Sequence, residues 1–166
     1  AGFLALGLAG RTAGPQEYWW SFFPGMCLLG LGMAITVVPL TTAVMGSVDQ
    51  SNAGVASGVN NAVSRAAGVL AVAVLGAVAL SSFAGNLAGA ADTLGLDATQ
   101  RAALLAQAPQ LGAAQVPAGL PPDQVDAVDA AIGDAFVATF RLLGIIAAAL
   151  AWAGAVCAGV MLRANK

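Results

Sequence analysis

The sequence contains no histidine and very few charged residues. Charged side chains make up 8% of its 166 residues, whereas soluble domains carry about 25%. Without histidine the chain lacks the commonest general base and a common metal ligand. It also has no cysteine cluster and no G-x-S-x-G elbow, so no enzyme activity, cofactor or metal site is predicted. The net charge of −2, with no basic run, argues against a nucleic-acid partner.

Hydrophobic residues are correspondingly abundant. They account for 59% of the chain, and the mean hydropathy is +0.84, values typical of a membrane protein. Because a helical span needs about 20 residues, the chain has room for three or four spans and no large soluble domain. Cys27 and Cys157 both fall inside apolar runs, which favours two buried hydrophobic side chains over a disulfide.

The predicted fold is an all-α membrane protein with three full transmembrane helices, a truncated first helix and a long, partly helical extracytoplasmic loop. Each of the three full spans is long enough to cross a bilayer, and none has an acidic residue in its core. They are span A, residues 18–46; span B, residues 53–83; and span C, residues 135–162.

The first ten residues, AGFLALGLAG, are apolar but cover only about half of a bilayer at ~1.5 Å per residue. They lack the basic start and the cleavage pattern of a signal peptide. Residues 1–10 are therefore interpreted as the end of a truncated transmembrane helix. A processed mature N-terminus is the alternative.

Residues 84–134 form the loop between spans B and C, and they carry six aspartates against the single Arg101. Asp97 is placed as the N-cap of a short helix over 96–108. A second helix begins at the prolines 121 and 122 and continues into span C, since apolar residues recur at steps of 3 and 4. These four residues are Val125, Val128, Ile132 and Phe136. The loop is either a solvated connector or a ligand-binding cap.

The orientation follows from the positive-inside rule. The tail, residues 163–166, contains Arg163 and Lys166, whereas the long loop is acidic. The C-terminus is therefore predicted to be cytoplasmic and the loop extracytoplasmic. Arg11 then lies on the outside, against the rule, and Arg141 lies near the membrane boundary, where its side chain can reach the interface.

One stripe of span B combines small and polar residues. Because its members are 3 or 4 residues apart, they share one helix face. The small members Gly54, Ser57, Gly58 and Gly68 are predicted to pack against another helix, in the manner of G-x-x-x-G motifs. Asn61 and Arg65, with Ser64 at the margin and Asn60 next to it, either join that packing or line a substrate pathway. A charged residue such as Arg65 must face a partner, the interface or a watery cavity rather than lipid.

Span A contains Pro39, which leaves the carbonyl of Ile35 without its helical donor. Thr36 is placed to help satisfy the distorted backbone there. Pro39 is either a passive kink or a gating residue, and Thr36 is a further pathway candidate.

The order of three segments resembles the C-terminal end of the fourteen-helix drug/proton antiporter branch of the major facilitator superfamily. The segments are GLGMAITVVPL, then AGVASGVNNAVSRAAGVLAVAVLGAV, and after a long loop AFVATFRLLGIIAAALAWAGAV. The penultimate helix of that branch typically opens with an A-G-x-A-S-G-like run followed by an asparagine, an arginine and a glycine. The matching residues here are Ala53, Gly54, Ala56, Ser57, Gly58, Asn61 and Gly68. Arg65 matches in type, and Ala67 replaces the usual second glycine.

The resemblance implies that spans A, B and C are the last three helices of a secondary transporter that exports drugs or other organic compounds, coupled to protons, by alternating access. The implied partners are the missing N-terminal helices, the lipid bilayer, a small organic substrate and protons, in a bacterial inner membrane. No Asp or Glu lies in the core of the three spans, so the coupling carboxylates would belong to the missing part. Two alternatives are a small self-standing oligomeric pore or accessory subunit and, less well supported, a membrane-embedded enzyme.

Overall fold

The structure, a computed structural model, describes residues 1–11, 16–46 and 48–164, with the side chains of all of these except 44, 45 and 161–164. Within these ranges the chain folds into helices and turns without a strand. The α-helices are α1 (Gly2–Gly7), α2 (Tyr18–Ser21), α3 (Phe23–Gly46), α4 (Ala53–Thr93), α5 (Ala98–Leu105) and α6 (Pro122–Ala164). The predicted all-α architecture is confirmed.

Three of these helices, α3, α4 and α6, are long and apolar enough to cross a membrane. Their positions correspond to spans A, B and C, with differences at the ends. Span A is divided at Phe22 into α2 and α3. The predicted tail begins inside α6, which continues to Ala164, and its residues 165 and 166 lie outside the described part.

The long helices pack side by side with alternating direction. α4 and α6 are antiparallel, because Asn86 of α4 contacts Thr139 of α6, while Ala90 shares a groove with Ala131. α1 is antiparallel to α3, since Gly2 lies against Leu29 and Gly25 lies against Leu6.

Helices α4 and α6 are both much longer than a bilayer requires. At ~1.5 Å per residue, their 41 and 43 residues extend for about 60 Å each, twice the thickness of a hydrocarbon core. α4 continues ten residues beyond the predicted end of span B at residue 83, and α6 begins thirteen residues before residue 135. The continuations of these two helices therefore account for 23 of the 51 residues of the predicted loop.

The helix extensions, α5 and a 3-10 turn at Ala108–Ala113 form a compact unit with its own hydrophobic core. We call residues 83–135 the lobe. Among the described side chains, the four largest with less than 2% exposure all lie in this core. They are Phe83, Leu87, Leu104 and Val128. The first two lie one helical turn apart on α4, so the same face of α4 that meets α6 also supports α5.

Within the lobe, α5 has the predicted N-cap. The Oδ1 atom of Asp97 accepts hydrogen bonds from the backbone N–H groups of Thr99 and Gln100, both at 2.8 Å. In return, the Oε1 atom of Gln100 accepts from the N–H of Asp97 at 3.0 Å. This reciprocal arrangement is a capping box, and it confirms the interpretation of Asp97. The helix ends at Leu105, three residues before the predicted end.

Replacing Asp97 by alanine is expected to loosen α5 without unfolding the lobe. Loss of an N-cap side chain costs about 0.5–2 kcal/mol, so we expect the amides of Thr99 and Gln100 to exchange with deuterium at least about twofold faster. The matched control is Asp126→Ala, which removes an exposed aspartate that does not cap α5. Equal exchange in the two variants would contradict the assignment.

Candidate functional site

The stripe of small and polar residues on α4 has no partner helix in the described part of the chain. A Cβ atom added at Gly54, Gly58 or Gly68 would meet no atom within 4 Å. Asn61, Ser64 and Arg65 are exposed on the same helix. The structure therefore brings these six residues together on one open face, and their predicted roles in packing or in a pathway stay predictions.

Asn60 lies toward a different side of α4 from this face. Asn60 is half-buried and lines an open groove of about 470 Å³ beside the α3–α4 turn, together with Val55, Val59 and Val63. Ser57 is half-buried as well. Asn60 and Asn61 thus face different surroundings although they are adjacent in the sequence.

Thr36 and Pro39 of α3 lie apart from the α4 stripe. The hydroxyl of Thr36 donates to the carbonyl of Gly32 at 2.7 Å, one turn earlier, and not to the carbonyl of Ile35. Thr36 also lines a groove formed by the start of α1, α3 and Ala151 of α6. Pro39 lies inside α3 and is exposed. Neither residue contributes to the open face that contains Arg65.

The depth of Arg65 can be estimated from the helix that packs against α4. The charge-free stretch of α6, residues 142–162, is about 31 Å long at ~1.5 Å per residue, the thickness of a hydrocarbon core. Placing it in the membrane puts Arg141 at the boundary on the side of the lobe. Thr139, one half-turn before, contacts Ser82 of α4. Arg65 is 17 residues from Ser82, so it lies about 25 Å away along α4, near the opposite boundary.

The depth of Arg65 in the membrane determines how its charge can be accommodated there. An arginine at the centre of a span costs about 2.5–3.5 kcal/mol on insertion scales, and the cost falls toward the ends because the side chain can reach the interface. Arg65 takes part in none of the ion pairs of the lobe. Its open face near a membrane boundary suits contact with water, with lipid headgroups or with another polar helix.

A second polar cluster joins α4 to α6 and was not predicted from the sequence. Thr139 is 3% exposed, and its hydroxyl lies 3.4 Å from both Ser82 Oγ and Asn86 Nδ2. The hydroxyl also donates to the carbonyl of Ala135 at 2.9 Å. Ser82 and Asn86 are four residues apart and therefore share one face of α4. This spacing is the sequence feature from which the cluster could have been predicted. The cluster fixes the register of the two helices where they enter the lobe.

A third polar cluster surrounds Arg11, which follows α1. Its Nη1 donates to the carbonyl of Ala130 at 3.1 Å. Carboxylate oxygens of Asp134 and Asp129 lie 3.7 and 3.8 Å from its guanidinium nitrogens. These contacts explain how a cation is tolerated on the side that carries the acidic loop. The positive-inside rule treats each loop separately and does not include such a pairing.

Comparisons of the chain with models of protein families, with curated proteins and with solved structures found no match. The class that the structure itself defines is an all-helical protein whose three apolar helices suggest insertion in a membrane. Among the described residues, no group of three or more histidine, cysteine or acidic side chains is arranged to hold a metal ion.

Proposed function

We propose that the chain is the C-terminal part of a secondary active transporter that exports drugs or other organic compounds, coupled to protons, across a bacterial inner membrane with its C-terminus in the cytoplasm. The observation that carries the proposal is the open face of α4, on which Asn61, Ser64 and Arg65 lie beside glycines where an added Cβ atom would meet nothing within 4 Å. A helix of a larger bundle needs such a face, either to pack on further helices or to border a cavity.

Two further observations support this proposal. Span-length stretches of α3, α4 and α6 are almost entirely exposed, with about a tenth or less of each apolar window buried, so most of their surface is left for lipid or for more helices. The exposed apolar surface on the same face includes Val69 and Val72, four and seven residues after Arg65. A cavity with such a wall suits a hydrophobic organic compound better than a strongly hydrated one.

The test is export by the transporter at its native length, with ethidium as a fluorescent organic probe in energised cells. We expect Asn61→Ala and Arg65→Gln to lower protonophore-sensitive ethidium export at least about fivefold, while the amount of protein in the membrane stays normal. The fivefold change corresponds to about 1 kcal/mol, the size of one interhelical or substrate hydrogen bond. The control is Arg101→Gln, which removes an arginine that is paired with Asp92 in the lobe.

Unchanged export in both α4 variants would refute their assignment to the pathway, and absence of proton-dependent export in the wild type would refute the transport proposal for this probe. The same open glycines also favour the alternative of a small oligomeric membrane protein. Ser57→Cys distinguishes the two, because efficient disulfide cross-linking between identical chains at this position would favour the oligomer.

A further inference from the structure

A groove lies between the segment that follows α1, the junction of α2 and α3 at Phe22, and the lobe end of α6. It has a volume of about 270 Å³. Its lining includes Arg11, Phe22, Gly133, Phe136, Val137 and Phe140. Most of this surface is apolar, and three phenyl rings contribute to it. The one charged group is the guanidinium of Arg11, with Asp129 and Asp134 next to it.

The groove runs outward from the membrane boundary, so that its phenyl rings lie at the depth of lipid headgroups and its charged rim lies just outside that layer. Phe140 is one residue and Gly133 is eight residues beyond Arg141, which are distances of about 1.5 and 12 Å along α6. A headgroup region extends for about 5–8 Å outside the hydrocarbon core on each side. Tyr18, Trp19 and Trp20 precede Phe22 on the same side, as expected of aromatic residues at a membrane interface.

The charges at the rim have a defined arrangement. Arg11 lies directly over Gly133, where an added Cβ would be 2.6 Å from the guanidinium carbon. Its separations from the two carboxylates, 3.7 and 3.8 Å, are those of ion pairs and exceed the length of N–H···O bonds. One N–H of the guanidinium is held by the carbonyl of Ala130, and the other N–H groups, which make no hydrogen bond to either carboxylate, can donate to another anion. The rim thus offers one cation beside two anions.

We propose that this groove binds a phospholipid with a zwitterionic headgroup that carries a primary ammonium, such as phosphatidylethanolamine. Arg11 reaches inward to the phosphate, Asp129 and Asp134 contact the ammonium, and the phenyl rings contact the glycerol and the start of one acyl chain. A groove of this volume is smaller than the 300–1,000 Å³ of pockets that enclose a whole small molecule, so it can hold only part of a lipid. A guanidinium and a phosphate form strong charge-assisted hydrogen bonds, and these fix the orientation of the headgroup in the groove.

The proposal is tested by native mass spectrometry of the full-length protein released from bilayers that contain equal amounts of phosphatidylethanolamine, phosphatidylcholine and phosphatidylglycerol with identical acyl chains. Phosphatidylcholine keeps the positive charge but its nitrogen has no N–H, and phosphatidylglycerol has no cation. We expect phosphatidylethanolamine to be retained preferentially. Equal retention of the three lipids, or preference for phosphatidylglycerol, would overturn the proposal.

Arg11→Gln is expected to weaken phosphatidylethanolamine retention about tenfold, equivalent to about 1.4 kcal/mol. Gly133→Ala is the second variant, because it forces the guanidinium to move while every charge is kept, and we expect a loss in the same direction. Arg101→Gln, which removes an arginine of the lobe that does not line the groove, is the control and should retain the lipid. Retention unchanged in both groove variants would contradict the site.

Glycerophosphoethanolamine, which has the headgroup without acyl chains, separates a lipid site from a site for a free phosphate ester. We expect no displacement of the bound lipid at a tenfold excess of this compound, since the apolar contacts are missing. Displacement would show that the headgroup alone is recognised and would overturn the assignment to a lipid. None of these readouts depends on transport.

Discussion

Replacing Leu104 by alanine is expected to open the lobe while the apolar stretches of α3, α4 and α6 remain folded. Leu104 is fully buried in the core that joins α5 to α4 and α6. Removing a buried leucine costs about 2–5 kcal/mol, because apolar contacts are lost and a cavity remains. α5 has eight residues, too few for an isolated helix to be stable in water. Its backbone hydrogen bonds therefore depend on this side chain.

Hydrogen exchange of the protein in detergent measures this effect residue by residue. We expect the amides of Arg101 to Leu105 to exchange at least about thirtyfold faster, which corresponds to the lower limit of 2 kcal/mol. The control is Leu105→Ala, the same substitution one residue later, where the side chain is only partly buried at the edge of the core. It should give a clearly smaller increase. Equal increases, or faster exchange along residues 60–75 of α4, would contradict an independently packed lobe.

The lobe shows which parts of the fold a local sequence pattern can predict. The capping box of α5 needs only Asp97 and Gln100, three residues apart, and it was predicted correctly at Asp97. The extension of α6 before span C could also be predicted from a local pattern, because Val128 and Ile132 are four residues apart, as on one helix face. Both are buried. Val125 and Phe136 of the same stripe are about 40% exposed, because the lobe covers only part of this face.

The extension of α4 to Thr93 was not predicted, although Phe83, Leu87 and Ala91 recur every four residues. Glycine and alanine dominate this segment, so the helix propensities of its residues do not define where α4 ends. Its end depends on tertiary contacts with Leu104 and Val128, together with Gly95, whose φ of 64° suits the residue after a helix end. Contacts between distant parts of the sequence decide the boundary, and those are not visible in a local pattern.

The candidate sites also include one that a local sequence pattern predicts and one that depends on contacts between distant residues. The shared face of Gly54, Gly58, Asn61 and Arg65 follows from helical periodicity alone, so the sequence sufficed to predict it. The cluster at Arg11 did not follow, because its hydrogen-bond partner Ala130 is 119 residues away. No rule about charge in single loops could have paired them, and the lipid groove depends on that pairing.

The contact that brings Arg11 to its site is a close approach of two helices at glycines. A Cβ atom added at Gly144 of α6 would lie 3.0 Å from the Cα of Gly7 and 3.0 Å from the carbonyl oxygen of Phe3. Both of these atoms belong to the backbone of α1, which cannot move aside as a flexible side chain can. A larger residue at position 144 must therefore displace the whole of α1 from α6.

Gly144→Leu is expected to detach α1 in the 166-residue chain, at a cost of about 1–3 kcal/mol or more, as for other overpacked contacts. α1 spans six residues, so its amide protection depends on its docking to α3 and α6. We expect the amides of Ala5 and Leu8, bonded to the carbonyls of Ala1 and Leu4, to exchange about 5 to 150 times faster.

The matched control is Gly154→Leu on the same helix, where an added Cβ would meet no atom within 4 Å. This variant should leave the exchange of α1 unchanged, which separates steric displacement from any general effect of leucine on α6. If Gly144→Leu also leaves α1 protected, the two helices are not held in close contact at these glycines. Because Arg11 directly follows the α1 segment, detachment should in addition lower phosphatidylethanolamine retention at the groove, whereas Gly154→Leu should not.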